Sequence, residues 1–332
     1  MDEITKLKGQ KVLVTGGAGF IGSNICEFLI NNEASVICLD NFSTGYRSNI
    51  ETLLSHEKFT LIEGDIRELE VCQKACRGVT HVLHQAALGS VPRSINDPIT
   101  TNDVNINGFL NMLVASRDQN VSRFIYAASS STYGDSKSLP KVEEKIGKPL
   151  SPYAITKYAN ELYAEIFKLN YGLNSIGLRY FNVFGRRQDP GGAYAAAIPK
   201  FVMQLMKYES PIINGDGSYS RDFTYIDNVI NMNILAMFTD NKQALNQVYN
   251  TAVGERTTLN ELVNILKKYL SKFDSKISDV EIIHGPNRIG DIPHSLASII
   301  KAINLLNYSP SHNFEEGIKE SVKWYWENLL NN

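Results

Sequence analysis

The feature that most constrains this chain is a glycine turn set between a short apolar run and a segment of helical spacing. Lys11–Thr15 (KVLVT) leads into Gly16-Gly17-Ala18-Gly19-Phe20-Ile21-Gly22, and residues 21–30 follow as a predicted helix. Glycines at 16, 19 and 22 let the backbone turn tightly after a strand and approach a ligand closely. The helix start beyond them offers unpaired N–H groups and the positive end of a dipole, which suits a pyrophosphate. Such a turn alone is a weak signal, but Asp40 closes the next apolar run, Ser35–Asp40 (SVICLD). An acidic residue about 20 positions after the turn is the expected partner of the adenosine ribose hydroxyls. Its charge would repel a 2′-phosphate, so the sequence favours NAD over NADP.

Further apolar runs at Phe59–Glu63, 81–85, Arg123–Ser129 and 174–180 alternate with helical segments. Runs that are apolar throughout, instead of at every second residue, suit a parallel sheet covered on both faces. We therefore expect an α/β chain built on a Rossmann-type doubly wound parallel sheet, with a smaller C-terminal substrate-binding lobe. Residues 1–180 would form the NAD-binding domain, with 221–250 returning to it, and residues 181–332 would mainly form the lobe. Helices are predicted there at 196–207, 258–270 and 315–330. At the turn, Gly16, Gly19, Phe20, Ile21 and Gly22 would meet the pyrophosphate. Asp40 and Asn41 would meet the ribose, and Asp65 and Ile66 would flank the adenine. The small residues Ala86 and Ala87 after the fourth strand let a cofactor approach.

Hydrophobic residues make up 43% of the 332, enough to bury a full core. A net charge of −2 sets up no field that would recruit nucleic acid or an anionic membrane. Any anionic ligand must then be held by local arginines and helix ends. The cysteines, Cys26, Cys38, Cys72 and Cys76, lack the spacing of a completed metal site. They read as packed thiols in a reducing cytoplasm, and no metal is expected. No run of about 18 apolar residues occurs, and MDEITKLKGQ has no apolar secretion core, so neither membrane insertion nor secretion is expected.

Tyr153 and Lys157 lie four apart after Pro152, a proline that fits the start of a helix, so they share one helical face. A free tyrosine, with a pKa of about 10, is a poor base at neutral pH. A neighbouring ammonium favours the phenolate, and the phenol could then take a proton from an alcohol while hydride leaves its carbon. Two such residues on a helix are by themselves unremarkable; the upstream turn gives them weight. Ser129-Ser130-Ser131 ends the fifth strand, the sheet edge where ligands bind in such folds. Ser129 could share the reacting oxygen with Tyr153.

Together these segments resemble the extended short-chain dehydrogenase/reductase superfamily and, within it, the UDP-hexose 4-epimerases. The resemblance rests on GGAGFIG, LDNFSTG, GDIR, HQAA, SSSTYG, SPYAITKYANE, LRYFNVFGRR, NGDGSYSRDFTYIDN and RIGDIPHS, which span nearly the whole chain. It implies NAD as cofactor, Tyr153 as base, Lys157 as its electrostatic partner and nicotinamide-ribose ligand, and Ser129 as the hydroxyl partner. It further implies that Asn105 stands near the catalytic lysine with the cofactor. Asn182 and Asn214 would join the substrate site, Arg221 and Arg288 would pair with phosphate, and Asp291 would meet the uridine ribose. Where the family often has Ala-Asp, this chain has Ala297-Ser298, and Ser298 would cap a helix in place of the acid.

Sugar 4,6-dehydratases of this superfamily carry an Asp-Glu pair where this chain has Ser130 and Ser131, and decarboxylases usually carry a glutamate in the same stretch. Neither serine can act as a carboxyl acid, so epimerisation is favoured. Relatives restricted to plain hexoses usually have a tyrosine at the position of Ser295. Serine there, with Gly89, Ser90 and Ala196, resembles the subgroup that prefers N-acetylated sugars. The expected substrates are therefore UDP-GlcNAc and UDP-GalNAc or their uronic acids, with UDP-glucose and UDP-galactose as the alternative. A non-catalytic NAD sensor would have no use for Tyr153, Lys157 and Ser129 together. The resemblance also implies a homodimer through a four-helix bundle formed by segments 101–116 and 152–170.

Overall fold

The computed structural model describes residues 3–191, 196–286 and 292–329. Among them, seven strands form one sheet: β1 (Lys11–Thr15), β2 (Ser35–Asp40), β3 (Phe59–Glu63), β4 (His81–His84), β5 (Arg123–Ser129), β6 (Ser175–Tyr180) and β7 (Gln247–Thr251). Their order is β7-β6-β5-β4-β1-β2-β3, and each neighbouring pair is parallel. This is the expected Rossmann-type α/β sheet. The chain runs outward from β1 to β2 and β3, then crosses back to β4 on the other side. That switch opens a crevice at the carboxyl ends of β1 and β4, where ligands bind in such sheets.

The helices are α1 (Phe20–Asn31), α2 (Leu69–Ala75), α3 (Val91–Asn96), α4 (Pro98–Asn102), α5 (Gly108–Asp118), α6 (Pro152–Tyr171), α7 (Ala197–Met206), α8 (Ile226–Phe238), α9 (Leu259–Leu270), α10 (Ile300–Leu306) and α11 (Phe314–Leu329). Successive strand residues point to opposite faces, which is why the strands are apolar throughout. Val12, Val14, Cys38, Ile125 and Leu178 pack with α1 and α8, in a core that continues into α7, α9 and α11. Leu13, Leu39, Val82, Phe124 and Tyr126 pack with α2, α5 and α6 on the other face. Within 221–250, α8 lies against the sheet, and β7 extends it by pairing Gln247 with Ile176 through Thr251 with Tyr180.

Three local outcomes bear on the site. The helix predicted at 101–116 is a longer helical run whose middle, Asp103–Asn107, is a π-turn; such turns in helices often mark functional positions. Helix α6 begins as expected: Ser151 caps it by accepting the Ala154 N–H at 3.1 Å, and Pro152 occupies the first turn. It ends at Gly172, whose φ of +74° suits the left-handed stop. Ser298, however, does not cap a helix. The residue preceding α10 is Ile299, with no side-chain cap. Ser298 instead donates its N–H to the Lys141 carbonyl at 2.9 Å, because this segment bridges to the 141 strap as an extended chain.

All four cysteines are buried and free. Among the described residues no cluster of His, Cys, Asp and Glu could hold a metal, and no helix is long and apolar enough to cross a membrane.

Candidate functional site

The turn after β1 leaves room for glycine alone at positions 16 and 22. Gly16, at φ +66°, donates its N–H to the Leu39 carbonyl at 2.8 Å, which locks the turn onto β2. A Cβ on Gly16 would stand 2.8 Å from the Ala86 backbone, and one on Gly22 would stand 2.1 Å from the Gly16 oxygen. Gly19 caps α1 without a side chain, which leaves the first-turn N–H groups to a ligand. They face a cavity of about 470 Å³ whose walls include Gly16, Gly19, Phe20, Ile21 and Gly22.

The acidic residues line the same space. Asp40 accepts the Ala18 and Phe42 N–H groups, each at 2.8 Å. Burial raises its carboxyl, and those backbone donors oppose the rise. Asp65 is held by Asn41 at 2.8 Å and by Arg67 at 2.7 Å. The hydrogen bond from Arg67 brings its carboxyl down to about 2. Ile66, Ala86 and Ala87 complete this part of the wall. A bare helix start, a carboxylate at the end of β2 and small residues at the end of β4 fit a dinucleotide.

Tyr153 stands in the first turn of α6 and Lys157 one turn further in. The Lys157 ammonium is buried and donates to the Ala127 carbonyl at 2.7 Å. Burial lowers it to about 8. Burial also raises the Tyr153 phenol, and a hydrogen bond with the Ser129 hydroxyl opposes that rise. Lys157 was expected to acidify the phenol; in the protein chain itself, desolvation governs it. The ammonium is engaged by a backbone carbonyl, yet an ammonium has three donors, so two remain for other oxygens. Ser129 Oγ also accepts the Ser131 N–H at 3.1 Å and the Ser131 hydroxyl at 2.9 Å.

Asn105, expected at the cofactor, sits behind the cavity wall. Its Oδ1 accepts the Leu88 N–H at 2.7 Å, and its amide donates to the Leu88 carbonyl and to Thr156 Oγ1, both at 3.1 Å. Both amide hydrogens are thus in use, and the side chain ties the loop after β4 to α6. Gly89 and Ser90, expected beside the sugar, line the 470 Å³ cavity, and Val91 and Pro92 directly after them line a second, adjoining one. Ser90 turns the chain there at φ +98° and caps α3 by accepting the Arg93 N–H at 3.3 Å. Strained backbone of this kind concentrates at ligand sites.

A second cavity, of about 730 Å³, is lined by Ser129, Ser130, Ser131, Asn182, Arg221 and Ser295. A third, of about 360 Å³, is lined by Asn182, Ala196, Asn214 and Arg221. Asn182 and Arg221 border both, and Ala196 borders the third and the dinucleotide cavity, so the three spaces adjoin. Asn182 adopts φ +37° and donates to the Asp222 carbonyl at 2.9 Å. The Arg221 guanidinium donates to the Ser220 and Pro293 carbonyls. Arg288 and Asp291 lie outside the described residues.

Sequence reasoning missed several lining residues. Tyr133 and Lys141 border the 730 Å³ cavity, and Gln188 and Asp189 border the dinucleotide cavity. Asp189 accepts a hydrogen bond from the Tyr46 hydroxyl at 2.7 Å across the fold. No local pattern announces such contacts. Asp222 was also unforeseen. Burial raises its carboxyl to about 7, opposed by the N–H groups of Val253, Ala297 and Gly254. It thereby anchors the segment that carries Ser295.

The profile of the NAD dependent epimerase/dehydratase family matches residues 12–252. A UDP-N-acetylglucosamine 4-epimerase from Methanobrevibacter ruminantium, solved with UDP-N-acetylmuramic acid, is 39% identical, with a TM-score of 0.89 over 96% of this chain and 99% of that one. A UDP-glucose 4-epimerase from Thermotoga maritima, solved with UDP-glucose, is 36% identical, with a TM-score of 0.88 over 96% of this chain and 100% of that one. A UDP-glucuronic acid 4-epimerase from Bacillus cereus, solved with UDP-glucuronic acid and NAD, is 30% identical, with a TM-score of 0.86 over 96% of this chain and 99% of that one.

Proposed function

This chain belongs to the NAD-dependent epimerase/dehydratase family, and from that premise we propose that it inverts carbon 4 of a UDP-linked N-acetylhexosamine. The pair interconverted would be UDP-GlcNAc and UDP-GalNAc, or their uronic acids. NAD is the cofactor, and it would be held by the α1 N-terminus, Asp40 and the walls of the 470 Å³ cavity. When bound, it supplies a reversible hydride acceptor and a positive charge. Tyr153 takes the proton of the 4-hydroxyl and returns it to the 4-keto oxygen, and the Ser129 hydroxyl shares that oxygen. Lys157 would offer its remaining donors to the cofactor ribose. Arg221 and Asn182, which border both outer cavities, would meet the diphosphate between them, with Arg221 supplying the charge-assisted bonds.

The observation that carries the reaction class is the lining of the 730 Å³ cavity. It gathers three serines, and no carboxylate is among its described lining residues. Elimination of water needs a further acid and base at the sugar, whereas epimerisation needs only a reversible redox step and room for the ring to turn. Ser295, on the same wall, leaves space for a 2-N-acetyl group.

The test is a panel of UDP-sugars incubated with purified protein and no added NAD, read by product identity. UDP-GlcNAc should yield its C4 epimer with no net cofactor reduction, and Tyr153→Phe should abolish the conversion. A strong preference for UDP-glucose would defeat the N-acetyl assignment. Ser295→Tyr should depress the acetylated substrate selectively, and equal loss on both sugars would count against this pocket.

The reading includes a homodimer. Ile155, Leu162, Ile166 and Leu169 form an exposed apolar stripe on α6, flanked by exposed Ile95 and Ile99. A contiguous apolar patch of this kind suits a partner helix pair.

A further inference from the structure

We propose that Lys141 recognises a carboxylate carried by the sugar ring, so that an acidic UDP-sugar is preferred over its neutral counterpart. This rests on the UDP-sugar reading above and names the substrate class more closely. Lys141 is only 4% exposed, yet it lines the 730 Å³ cavity that holds Ser129, Ser130 and Ser131. A buried ammonium is costly unless an opposite charge meets it. Among the described residues none does. Its Nζ donates to the Ser136 carbonyl, a neutral acceptor. Glu143 spends its carboxylate on the Asn250 N–H at 2.9 Å, and Glu144 pairs with Lys301 at 3.0 Å. Burial accordingly depresses the Lys141 ammonium, with no anion to raise it.

The residue is also held in place. Its N–H donates to the Leu296 carbonyl at 2.7 Å, and its carbonyl accepts the Ser298 N–H at 2.9 Å and the Asn250 amide at 3.0 Å. These bonds fix the root of the side chain beside the segment that carries Ser295, and a group fixed by its surroundings recognises a ligand at low entropic cost. With one donor on Ser136, two remain for a carboxylate. The diphosphate does not account for this charge. Arg221 and Asn182 border the 360 Å³ cavity as well as the sugar cavity, whereas Lys141 borders only the latter. The anion it meets is therefore on the sugar, either as a carboxylate at carbon 6 or as an acidic ether at carbon 3.

The experiment compares UDP-GalNAc, its C6 uronic acid and UDP-N-acetylmuramic acid. Each is measured as kcat/KM, and as Kd by calorimetry with Tyr153→Phe protein, so that binding is read without turnover. The variants are Lys141→Met, Lys141→Gln and Lys141→Arg, with Lys137→Gln as an exposed control on the same loop. Wild type should favour an acidic sugar. Lys141→Met and Lys141→Gln should lower the acidic-to-neutral ratio at least tenfold, mainly through KM, and Lys141→Arg should retain most of it. A loss confined to the uronic acid places the carboxylate at carbon 6; a loss confined to the muramic acid places it at carbon 3. A wild type without preference for either acidic sugar overturns the proposal, as does an equal effect of the variants on acidic and neutral sugars. If no UDP-sugar is turned over while the Kd ratio still collapses, the epimerase reading fails and the role of Lys141 stands.

Discussion

Replacing Arg179 by Met should cost the protein about 3–5 kcal/mol, because it would strand a buried carboxylate. The guanidinium on β6 grips Glu161 of α6 in two bonds, Nε to Oε1 at 2.9 Å and NH2 to Oε2 at 2.7 Å. A third donor reaches the Glu143 carbonyl at 3.0 Å, and the guanidinium carbon lies 4.8 Å from the centre of the Tyr133 ring. The two charged side chains are 4% and 7% exposed, so solvent cannot replace either partner. A chain of 332 residues has an unfolding entropy of roughly 0.7 kcal/mol/K, at about 2.1 cal/mol/K per residue. The loss should therefore lower Tm by about 4–7 °C. Removing both charges, as Arg179→Met with Glu161→Leu, should restore stability to within about 1 kcal/mol of wild type. The pair joins the helix of Tyr153 to the sheet and lies under Tyr133, which closes the turn after Ser129. Each single variant should therefore also lower kcat more than it alters NAD binding. Urea unfolding of all four proteins gives the coupling energy, and epimerisation assays give the rates. A single variant that loses less than about 1 kcal/mol, or a double variant as damaged as the two singles added, would refute the reasoning.

Gly22→Ala should abolish NAD retention, since its Cβ would stand 2.1 Å from the Gly16 oxygen; purified variant that keeps stoichiometric NAD by absorbance would contradict this. Burial holds the Lys157 ammonium near 8, below its ordinary 10.5, so folding disfavours the protonated side chain. That penalty is full below about pH 8 and vanishes as pH rises to 10.5, so wild type should gain about 3 kcal/mol over Lys157→Met across that window. Parallel urea-midpoint curves for the two proteins would remove the effect. Ile99, 81% exposed, and Leu169, 72% exposed, lie on the proposed dimer face; changing both to Glu should convert a dimer to a monomer by light scattering at micromolar concentration. A monomeric wild type would end that proposal.

The sheet was legible because its signals are local. Each strand from β1 to β6 is a short apolar run, and the turn at Gly16–Gly22 needs its glycines for contacts within a few residues or with the next strand. The seventh strand, Gln247–Thr251 (QVYNT), was only hinted at as a return to the sheet, since its polar residues satisfy themselves in tertiary contacts. Asn250 is such a case: its amide bonds the Lys141 and Ser298 carbonyls across the fold. That Gly16, Asp40, Asp65 and Ala86 face one cavity was legible for the same reason as the turn. The placement of Asn105 and Ser90 was not, because a π-turn and a positive-φ cap decide where those two side chains stand, and neither has a periodic signature. Lys141 carries no local signal, because it is the bridge to Ala297, more than 150 residues away, that holds it in the interior.

The expensive groups of this protein lie together. Lys157 and Lys141 are ionisable and withdrawn from water, the Tyr153 phenol is half-buried, and Ser90 and Asn182 carry positive φ angles. Each works against folding by roughly 1–3 kcal/mol if its backbone is strained, and more if it must carry buried charge. They persist because the elements that carry them are fastened from behind by groups that border none of the three cavities. Asn105 fastens the loop after β4, Glu161 with Arg179 fastens α6, and Asp222 fastens the segment of Ser295. Loss of such a fastening lets a costly group relax toward solvent, which lowers its energy in the ground state but spoils its aim at the sugar. Variants at Asn105 and Asp222 should therefore act chiefly on kcat, whereas Lys141 and Ser295, which border the sugar cavity themselves, should act chiefly on KM and on the choice among sugars.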